Sequence, residues 1–280
     1  MSEFSRLTRA AGTVGAATFI SRILGYVRDV LIAGYFGTGL FADAFIAAFR
    51  IPNLMRRLFG EGSLGIAFVP VISEYLTRQG REEAFRLARS AIRILALILV
   101  VAVILGVLIA PWITRMVAYG FLDSPEKFGL TVSLTRWMFP YVFFVGMLAL
   151  CMAVLNVLGH FAAPALAPAL LNLSMIGAML VAGHLSAEPK VRVYALAFGV
   201  LIGGMLQLLL QVPVLIRKGF RFLRDASWVH PGMRRVGSLF VPATAGAAVV
   251  QINSLVGNLL ASFLEGGSVS YLYYADRLVQ

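Results

Sequence analysis

Two apolar segments near the start of the chain contain charged side chains whose chemistry suits an anion. The first segment holds Arg22, Arg28 and Asp29, and the second holds Asp43, Arg50, Asn53, Arg56, Arg57 and Glu61. Arginine presents a planar fork of N–H donors that matches two phosphate oxygens at once. When Asp276 and Arg277 near the other end of the chain are included, six arginines face four carboxylates. This surplus of cations predicts a site for an anionic ligand.

Helix geometry supports a shared site in the second segment. Asp43, Arg50 and Arg57 are spaced by seven residues and Glu61 follows four later, so all four lie near one face of a straight helix. An arginine at the centre of a membrane helix costs about 2.5–3.5 kcal/mol on insertion scales, so several together require pairing, water or an anion. The alternative is internal pairing, for example of Arg28 with Asp43, with Arg56 and Arg57 extending to the membrane surface.

The composition requires a lipid environment around these segments. Hydrophobic residues make up 60% of the 280 residues and charged residues 13%, with a mean hydropathy of +0.86. Soluble domains contain about 25% charged residues, so a soluble fold is excluded. The net charge of +11 would suggest nucleic acid in a soluble protein. Here it fits the enrichment of Lys and Arg in cytoplasmic loops of membrane proteins.

The hydropathy pattern predicts an all-α bundle of transmembrane helices in one domain, residues 1–280. A helix needs about 20 apolar residues to cross a membrane. We predict spans at 10–35, 40–59, 91–113, 132–157, 163–184, 192–216 and 237–262, and an eighth that begins near 268 and is cut off at Gln280. The basic residues concentrate in the N-terminal tail and in the connections 78–93 and 217–235. This asymmetry places the N-terminus in the cytoplasm.

Both basic connections also contain aromatic and aliphatic residues. Arg86, Arg89 and Arg93 recur at helical spacing beside apolar neighbours, and Phe220, Phe222 and Trp228 are interleaved with basic residues. This pattern is typical of segments that lie on an anionic membrane surface. Ordinary cytoplasmic loops with a positive charge explain it equally well.

Motifs for covalent chemistry are missing from the sequence. It contains no Gly-rich phosphate loop followed by Lys-Ser/Thr, no Ser/His/Asp set and no paired catalytic carboxylates. His160, His184 and His230 are scattered without metal-ligand spacing, and Cys151 is the only cysteine. We therefore predict no enzyme activity, no cofactor and no metal site.

The chain contains several ordered motifs: SRILGYVRD at 21–29, ADAF at 42–45, IPNLMRRLF at 51–59 with EG at 61–62, AFVP at 67–70, FAAPALAP at 161–168 with Asn172, and GSVSYLYYADR at 267–277. Together they resemble the MviN/MurJ family, the bacterial lipid II flippases of the multidrug/oligosaccharidyl-lipid/polysaccharide exporter superfamily. The resemblance runs over essentially the whole chain. It implies the N-terminal lobe of a two-lobed bundle around a cationic cavity that works by alternating access.

The resemblance also implies which residues bind substrate. The cavity arginines of the family fall on Arg22, Arg28, Arg56 and Arg277, with Asp43, Asn53, Arg57 and Glu61 in supporting positions. The family continues through a second lobe, so the chain is expected to be the N-terminal portion of a longer protein of the bacterial inner membrane.

The leading hypothesis is a flippase that moves lipid II, an undecaprenyl-diphosphate-linked peptidoglycan precursor, from the cytoplasmic to the periplasmic leaflet. An exporter of another polyprenyl-diphosphate glycan is the first alternative. A multidrug exporter of the same superfamily fits less well, because a cavity for cationic drugs should be acidic. A membrane scaffold or a lipid-modifying enzyme is the third alternative, and the sequence offers no catalytic motif for the enzyme.

Labelling of single introduced cysteines tests the predicted topology. Because Lys and Arg favour the cytoplasmic side, we expect an impermeant reagent to reach 114–130 and 264–267 from the periplasm, and 78–93 and 217–235 only from the cytoplasm. Labelling of 264–267 only from the cytoplasm would contradict the prediction.

Overall fold

The structure, a computed structural model, describes residues 3–60, 63–223 and 228–279. It is helical, and no strand occurs in those ranges. In chain order the α-helices are α1 (Glu3–Phe36), α2 (Leu40–Gly60), α3 (Ser63–Arg78), α4 (Arg81–Leu108), α5 (Ala110–Val117), α6 (Pro125–Met138), α7 (Tyr141–Val157), α8 (Ala162–Leu185), α9 (Pro189–Arg217), α10 (Gly232–Ser262) and α11 (Ser268–Val279). A short 3₁₀ turn, Tyr119–Asp123, precedes α6.

Five stretches are long and apolar enough to cross a membrane, namely α4, α6 with α7, α8, α9 and α10. The most apolar window lies in α4 and is only 17% buried within the protein, whereas the window in α6–α7 is 78% buried. The exposed apolar side chains of α4 require lipid, while α7 forms the centre of the bundle. The prediction of an all-α membrane bundle is confirmed.

The structure corrects the prediction for residues 60–93. Helix α3 follows α2 within the bundle, and its apolar residues Phe68 and Val71 are fully buried. The start of α4 packs in the same core through Phe85 and Leu87, and Arg89 is 3% exposed and bonds to Glu82 at 2.9 Å. The segment with Arg86, Arg89 and Arg93 is therefore part of a packed helix and does not lie flat on the membrane surface.

Hydrogen bonds and ion pairs define the two ends of the bundle. At one end, called here the basic end, Arg235 at the start of α10 pairs with Glu74 of α3 at 2.5 Å, and Arg78 lies one turn away. The opposite end, called the Asp43 end, holds the start of α2 and the last turn of α10. There the Asn258 amide donates to the Val117 carbonyl at 2.9 Å.

Helices α8 and α9 pack with unusually close backbones. A Cβ added at Gly199 would lie 2.8 Å from the Ala178 Cβ and 3.1 Å from the Ser174 carbonyl oxygen. The Ser174 hydroxyl donates to the Gly199 carbonyl at 2.7 Å. Small residues let membrane helices approach in this way, and lateral hydrogen bonds add to the contact.

Two glutamines extend the same interface toward the basic end. Gln207 and Gln211 of α9 donate to the carbonyls of Ala167 and Ala163 in α8, at 2.8 and 2.9 Å. Pro164 lies in the first turn of α8, and Pro168, inside the helix, lacks the N–H that would bond to the Pro164 carbonyl. The glutamines thus tie α9 to the part of α8 that carries both prolines, and the two helices form one rigid pair.

We predict that Gly199→Ala lowers the thermal stability of the protein in detergent or nanodiscs. The new methyl group meets backbone-fixed atoms, and overpacking of this kind costs about 1–3 kcal/mol. Gly177→Ala in α8 is the matched control, because nothing lies within 4 Å of a Cβ built there. The control should melt at the same temperature or slightly higher, and equal melting of the two variants would refute the close approach.

Candidate substrate-binding cavity

A cavity of about 650 Å³ lies between α1, α2, α8, α9, α10 and α11. Its charged lining comes mainly from two helices, because α1 contributes Arg22, Arg28 and Asp29 while α2 contributes Arg50, Arg56 and Arg57. The charged segments identified in the sequence therefore face a common space, which accounts for their presence in an apolar bundle.

Arg28 is the most buried of these arginines, and hydrogen bonds fix its guanidinium. It is 5% exposed, and both its Nε and its Nη2 donate to Asp29 Oδ1, at 2.9 and 2.7 Å. Its Nη1 donates to Asn172 Oδ1 at 2.8 Å, and the Asn172 amide in turn donates to the Ser21 carbonyl at 3.0 Å. The Tyr273 hydroxyl donates to the same Asp29 oxygen at 3.0 Å. Contacts from α1, α8 and α11 thus fix the guanidinium in one orientation.

The arginines of α2 are less buried than Arg28. Arg56 is half-buried and its Nε donates to Asn53 Oδ1 at 3.1 Å, one turn earlier in the helix. Arg50 lies in the electrostatic field of both Arg57 and Asp276. Arg22 lines the cavity from α1 with an exposed side chain.

The charges around the cavity do not balance. In the part of the chain that the structure describes, five arginines and two aspartates line it, a surplus of three positive charges. Asp29 is engaged with Arg28, so Asp276 is the remaining carboxylate of the lining, and it lies near Arg50. In a partly desolvated space, such an excess favours binding of an anion with several oxygen acceptors.

Asp43 does not lie where the sequence analysis expected it, in the cavity or beside Arg28. It neither pairs with Arg28 nor lines the cavity, because its carboxylate, 1% exposed, pairs with Lys127 Nζ at 2.5 Å. The backbone N–H groups of Gly267 and Ser270 donate to it at 2.8 and 2.9 Å, and the Ser270 hydroxyl at 2.5 Å. Asp43 therefore joins α2, α6 and the start of α11 at the end of the bundle named after it.

Two predicted site residues cannot be placed. Glu61 lies outside the described residues, and so does the side chain of Arg277, although α11 includes its position. The sequence placed Arg50 in the cationic set but outside the substrate-binding residues that the resemblance implies, and it gave no role to Gln207 or Tyr273. All three line the cavity. Arg50 and Gln207 carried a usable signal, a polar side chain in an apolar segment, whereas tyrosine is too common near membranes to stand out.

Asn172, named above with the motif at 161–168, has two roles in the structure. Its side chain lines the cavity, and its hydrogen bonds to Arg28 and to the Ser21 carbonyl connect α8 to α1.

The three histidines lie in separate parts of the bundle. His230 accepts a hydrogen bond from the Gly232 N–H on Nδ1 at 3.1 Å, so its Nε2 carries the proton that faces Glu83 at 3.0 Å. His160 lies in the turn between α7 and α8, where partial burial and the charge of Lys218 lower the pKa of its imidazole. Among the described residues, no three His, Cys, Asp or Glu side chains converge on a point where a metal could bind.

Comparison with known proteins decides the family. A family model described as "Lipid II flippase MurJ" matches residues 32–280. The chain belongs to the lipid II flippase MurJ family. It is 42% identical to the lipid II flippase MurJ of Burkholderia cenocepacia, over 98% of this chain and 53% of that protein. It is 40% identical to the probable lipid II flippase MurJ of Vibrio cholerae, with the same coverage.

Solved structures agree with this family assignment. A structure titled "Lipid II flippase MurJ, inward closed conformation" superposes with a TM-score of 0.81 at 31% identity, and the match covers 95% of this chain and 54% of that one. A MATE transporter in complex with MaD3S superposes at 0.70 with 17% identity, covering 96% of this chain and 60% of the transporter, which shows a common fold. The chain spans about half the length of the curated MurJ relatives it matches.

The buried ion pair at the Asp43 end provides a test of this geometry. We predict that Asp43→Asn destabilises the protein by about 3–5 kcal/mol, because it leaves the Lys127 charge buried without a partner. Lys127→Met should cost less, since the carboxylate keeps its three other donors. The double variant should be more stable than Asp43→Asn alone. Denaturation in detergent measures all three, and a double variant as unstable as the sum of the single changes would contradict the pairing.

Proposed function

We propose that this chain is part of a flippase that carries lipid II from the cytoplasmic to the periplasmic leaflet of the bacterial inner membrane. The observation that carries the proposal is the cavity with five arginines against two aspartates, in a chain of the lipid II flippase MurJ family. Because the chain spans about half the length of its relatives, the transport activity is assigned to the whole protein. The 280 residues then form one transmembrane domain, the N-terminal lobe with the start of the next helix.

The diphosphate of the substrate is the natural partner of the arginines. Arg28 is held by Asp29 and Asn172, so little side-chain entropy remains to be lost when it donates to a phosphate oxygen. Arg22, Arg56 and Arg57 are more exposed and can adjust to the second phosphate. Bidentate contacts between arginine and phosphate provide both the affinity and the orientation. The reaction moves the head group and breaks no covalent bond, so no catalytic group is required.

The closed end of the bundle supports transport by alternating access. The contacts of Asp43 with Lys127, Gly267 and Ser270 close the Asp43 end, beyond the cavity. The density of Lys and Arg at the basic end supports an orientation with that end and the N-terminus in the cytoplasm. The conformation described here would then be closed toward the periplasm, and release of the substrate requires these contacts to separate. The lipid tail can remain in the bilayer while the head group crosses the wet cavity.

The nearest rival is transport of another polyprenyl-diphosphate glycan, because the arginines recognise the diphosphate and are indifferent to the sugar. A cationic drug fits poorly, since the cavity already has three positive charges in excess. Roles as a scaffold or a lipid-modifying enzyme gain no support from the cavity.

We predict that replacement of Arg22, Arg28, Arg56 or Arg277 by alanine in the full-length protein abolishes lipid II transport while membrane insertion is retained. At Arg22 and Arg56, loss of one cation relieves repulsion in a cationic cavity. Arg28→Ala also removes the guanidinium that pairs with the buried Asp29 carboxylate, so this variant should insert but be less stable than the others. Loss of a charge-assisted contact to phosphate costs about 1.5–3 kcal/mol of binding in each case. Lysine should rescue only in part, because it keeps the charge and loses the planar fork. Complementation of a depleted strain, together with quantification of inserted protein, measures both effects.

Arg115→Ala is the matched control for these variants. Arg115 is exposed near the Asp43 end, stacks on Trp112 at 5.1 Å and does not line the cavity. This variant should complement normally. Normal growth and precursor export by the cavity variants would show that the arginines are structural. Full rescue by lysine at every position would show that only the electrostatic field matters. Transport of a polyprenyl-diphosphate glycan other than lipid II, with lipid II excluded, would favour the rival substrate.

A further inference from the structure

The loop between α9 and α10 presents large apolar side chains to the surroundings of the protein. Leu223, Trp228 and Val229 are 98%, 60% and 74% exposed. Single exposed apolar residues are common on proteins, but three in one loop between two membrane helices require an apolar neighbour. The transport cavity makes no use of them.

The described residues on either side of 224–227 are fixed to the bundle, so the outward direction of the exposed apolar side chains is part of the fold. After α9, Gly219 adopts a φ of +83°, and the chain turns back so that the Phe220 N–H bonds to the Leu215 carbonyl at 3.0 Å. Phe220 is fully buried, with its ring 5.2 Å from Phe85 and 4.8 Å from Phe222.

The other end of the loop is equally well held. The Ser90 hydroxyl donates to the Trp228 carbonyl at 2.8 Å and accepts from the His230 N–H at 3.1 Å. His230 also contacts Glu83 at 3.0 Å. Because the Trp228 backbone is fastened to α4 in this way, its indole is held on the outer surface.

Basic side chains surround the exposed apolar ones. Arg217, Arg221 and Arg234 are exposed. Residues 217–235 contain six Lys and Arg residues and one acid, Asp225. The nearby acids Glu74 and Glu83 are engaged with Arg235 and His230. The loop therefore keeps a local positive charge beside its apolar side chains.

We propose that this loop is a docking surface for anionic phospholipid head groups. Helices α9 and α10 are both long enough to span the membrane, so the loop that joins them lies where head groups meet acyl chains. There Leu223, Trp228 and Val229 enter the acyl boundary while Arg217, Arg221 and Arg234 contact lipid phosphates, the division expected at an anionic interface. The surface is independent of lipid II transport, and a protein that moves no substrate would still show it.

Fluorescence of Trp228 in reconstituted vesicles tests the proposal. Trp112→Phe and Trp137→Phe leave Trp228 as the only one of the three tryptophans. The full chain is placed in vesicles of phosphatidylcholine and phosphatidylglycerol, with bromine on the chains of one lipid or the other. Brominated phosphatidylglycerol should quench Trp228 more strongly per mole, and the preference should fall as salt is added.

Charge variants in the same background identify the residues responsible. Arg221→Gln with Arg234→Gln should reduce the enrichment of phosphatidylglycerol at low salt by about fivefold for each charge removed. The double lysine variant keeps the charges and should keep the preference. Arg115→Gln, at the Asp43 end, is the control and should leave it unchanged. Circular dichroism confirms that each variant keeps its helix content.

Two results would overturn the proposal. Equal quenching by the two brominated lipids would mean that the loop enters the bilayer without selecting anionic lipid. Weak quenching by both lipids, with efficient quenching by aqueous iodide, would mean that Trp228 faces water or a protein partner.

Discussion

The cost of placing charge in a low-dielectric interior is the constraint on which this structure depends. An isolated guanidinium or carboxylate within an apolar bundle is unfavourable by several kcal/mol, on the order of the whole stability of a small domain. Two deeply buried groups are accordingly neutralised by designated partners, Arg28 by Asp29 and Asp43 by Lys127. The remaining positive charge of the described residues near the centre of the bundle collects around one cavity, where water or a ligand can solvate it. The arginines can therefore remain charged in the bundle because the cavity admits water or a ligand to solvate them.

Helix packing at some distance from the cavity holds part of the cavity lining in place. Helices α8 and α9 are joined by the close contact at Gly199 and by hydrogen bonds from Ser174, Gln207 and Gln211. Asn172 projects from this pair and holds both Arg28 and the backbone of α1. The orientation of a cavity arginine thus depends on glycines and glutamines of another helix. α1 itself contacts the bundle mainly along α8, which leaves its opposite face with exposed apolar residues such as Phe19 and Ile23.

The sequence predicts the class of the fold well because membrane insertion depends on local composition. Apolar windows, basic connections and arginines within apolar segments are all local signals, and they identify the bundle and the helices that carry the cavity charges. The partners of those charges depend on tertiary contacts that no local pattern encodes. The sequence analysis offered Asp43 as an example of a partner for Arg28, whereas the partner in the structure is the adjacent Asp29. Lys127 was assigned to a loop, although α6 brings it to Asp43. Helix α3 was not predicted, because its one proline, Pro70, its polar residues and its short length hide its buried face.

The contacts of Asp43 have a consequence for how the protein assembles. The first turn of a helix leaves backbone N–H groups unbonded, and a carboxylate near them stabilises the helix start. For α11 this carboxylate comes from α2, 227 residues earlier in the chain. The capping carboxylate in α2 is therefore synthesised long before α11, the helix that it caps. The first turn of α11 gains this carboxylate only when α2 is already packed in the bundle. For the contact between Asp43 and α11, the order of synthesis is therefore also the order of folding.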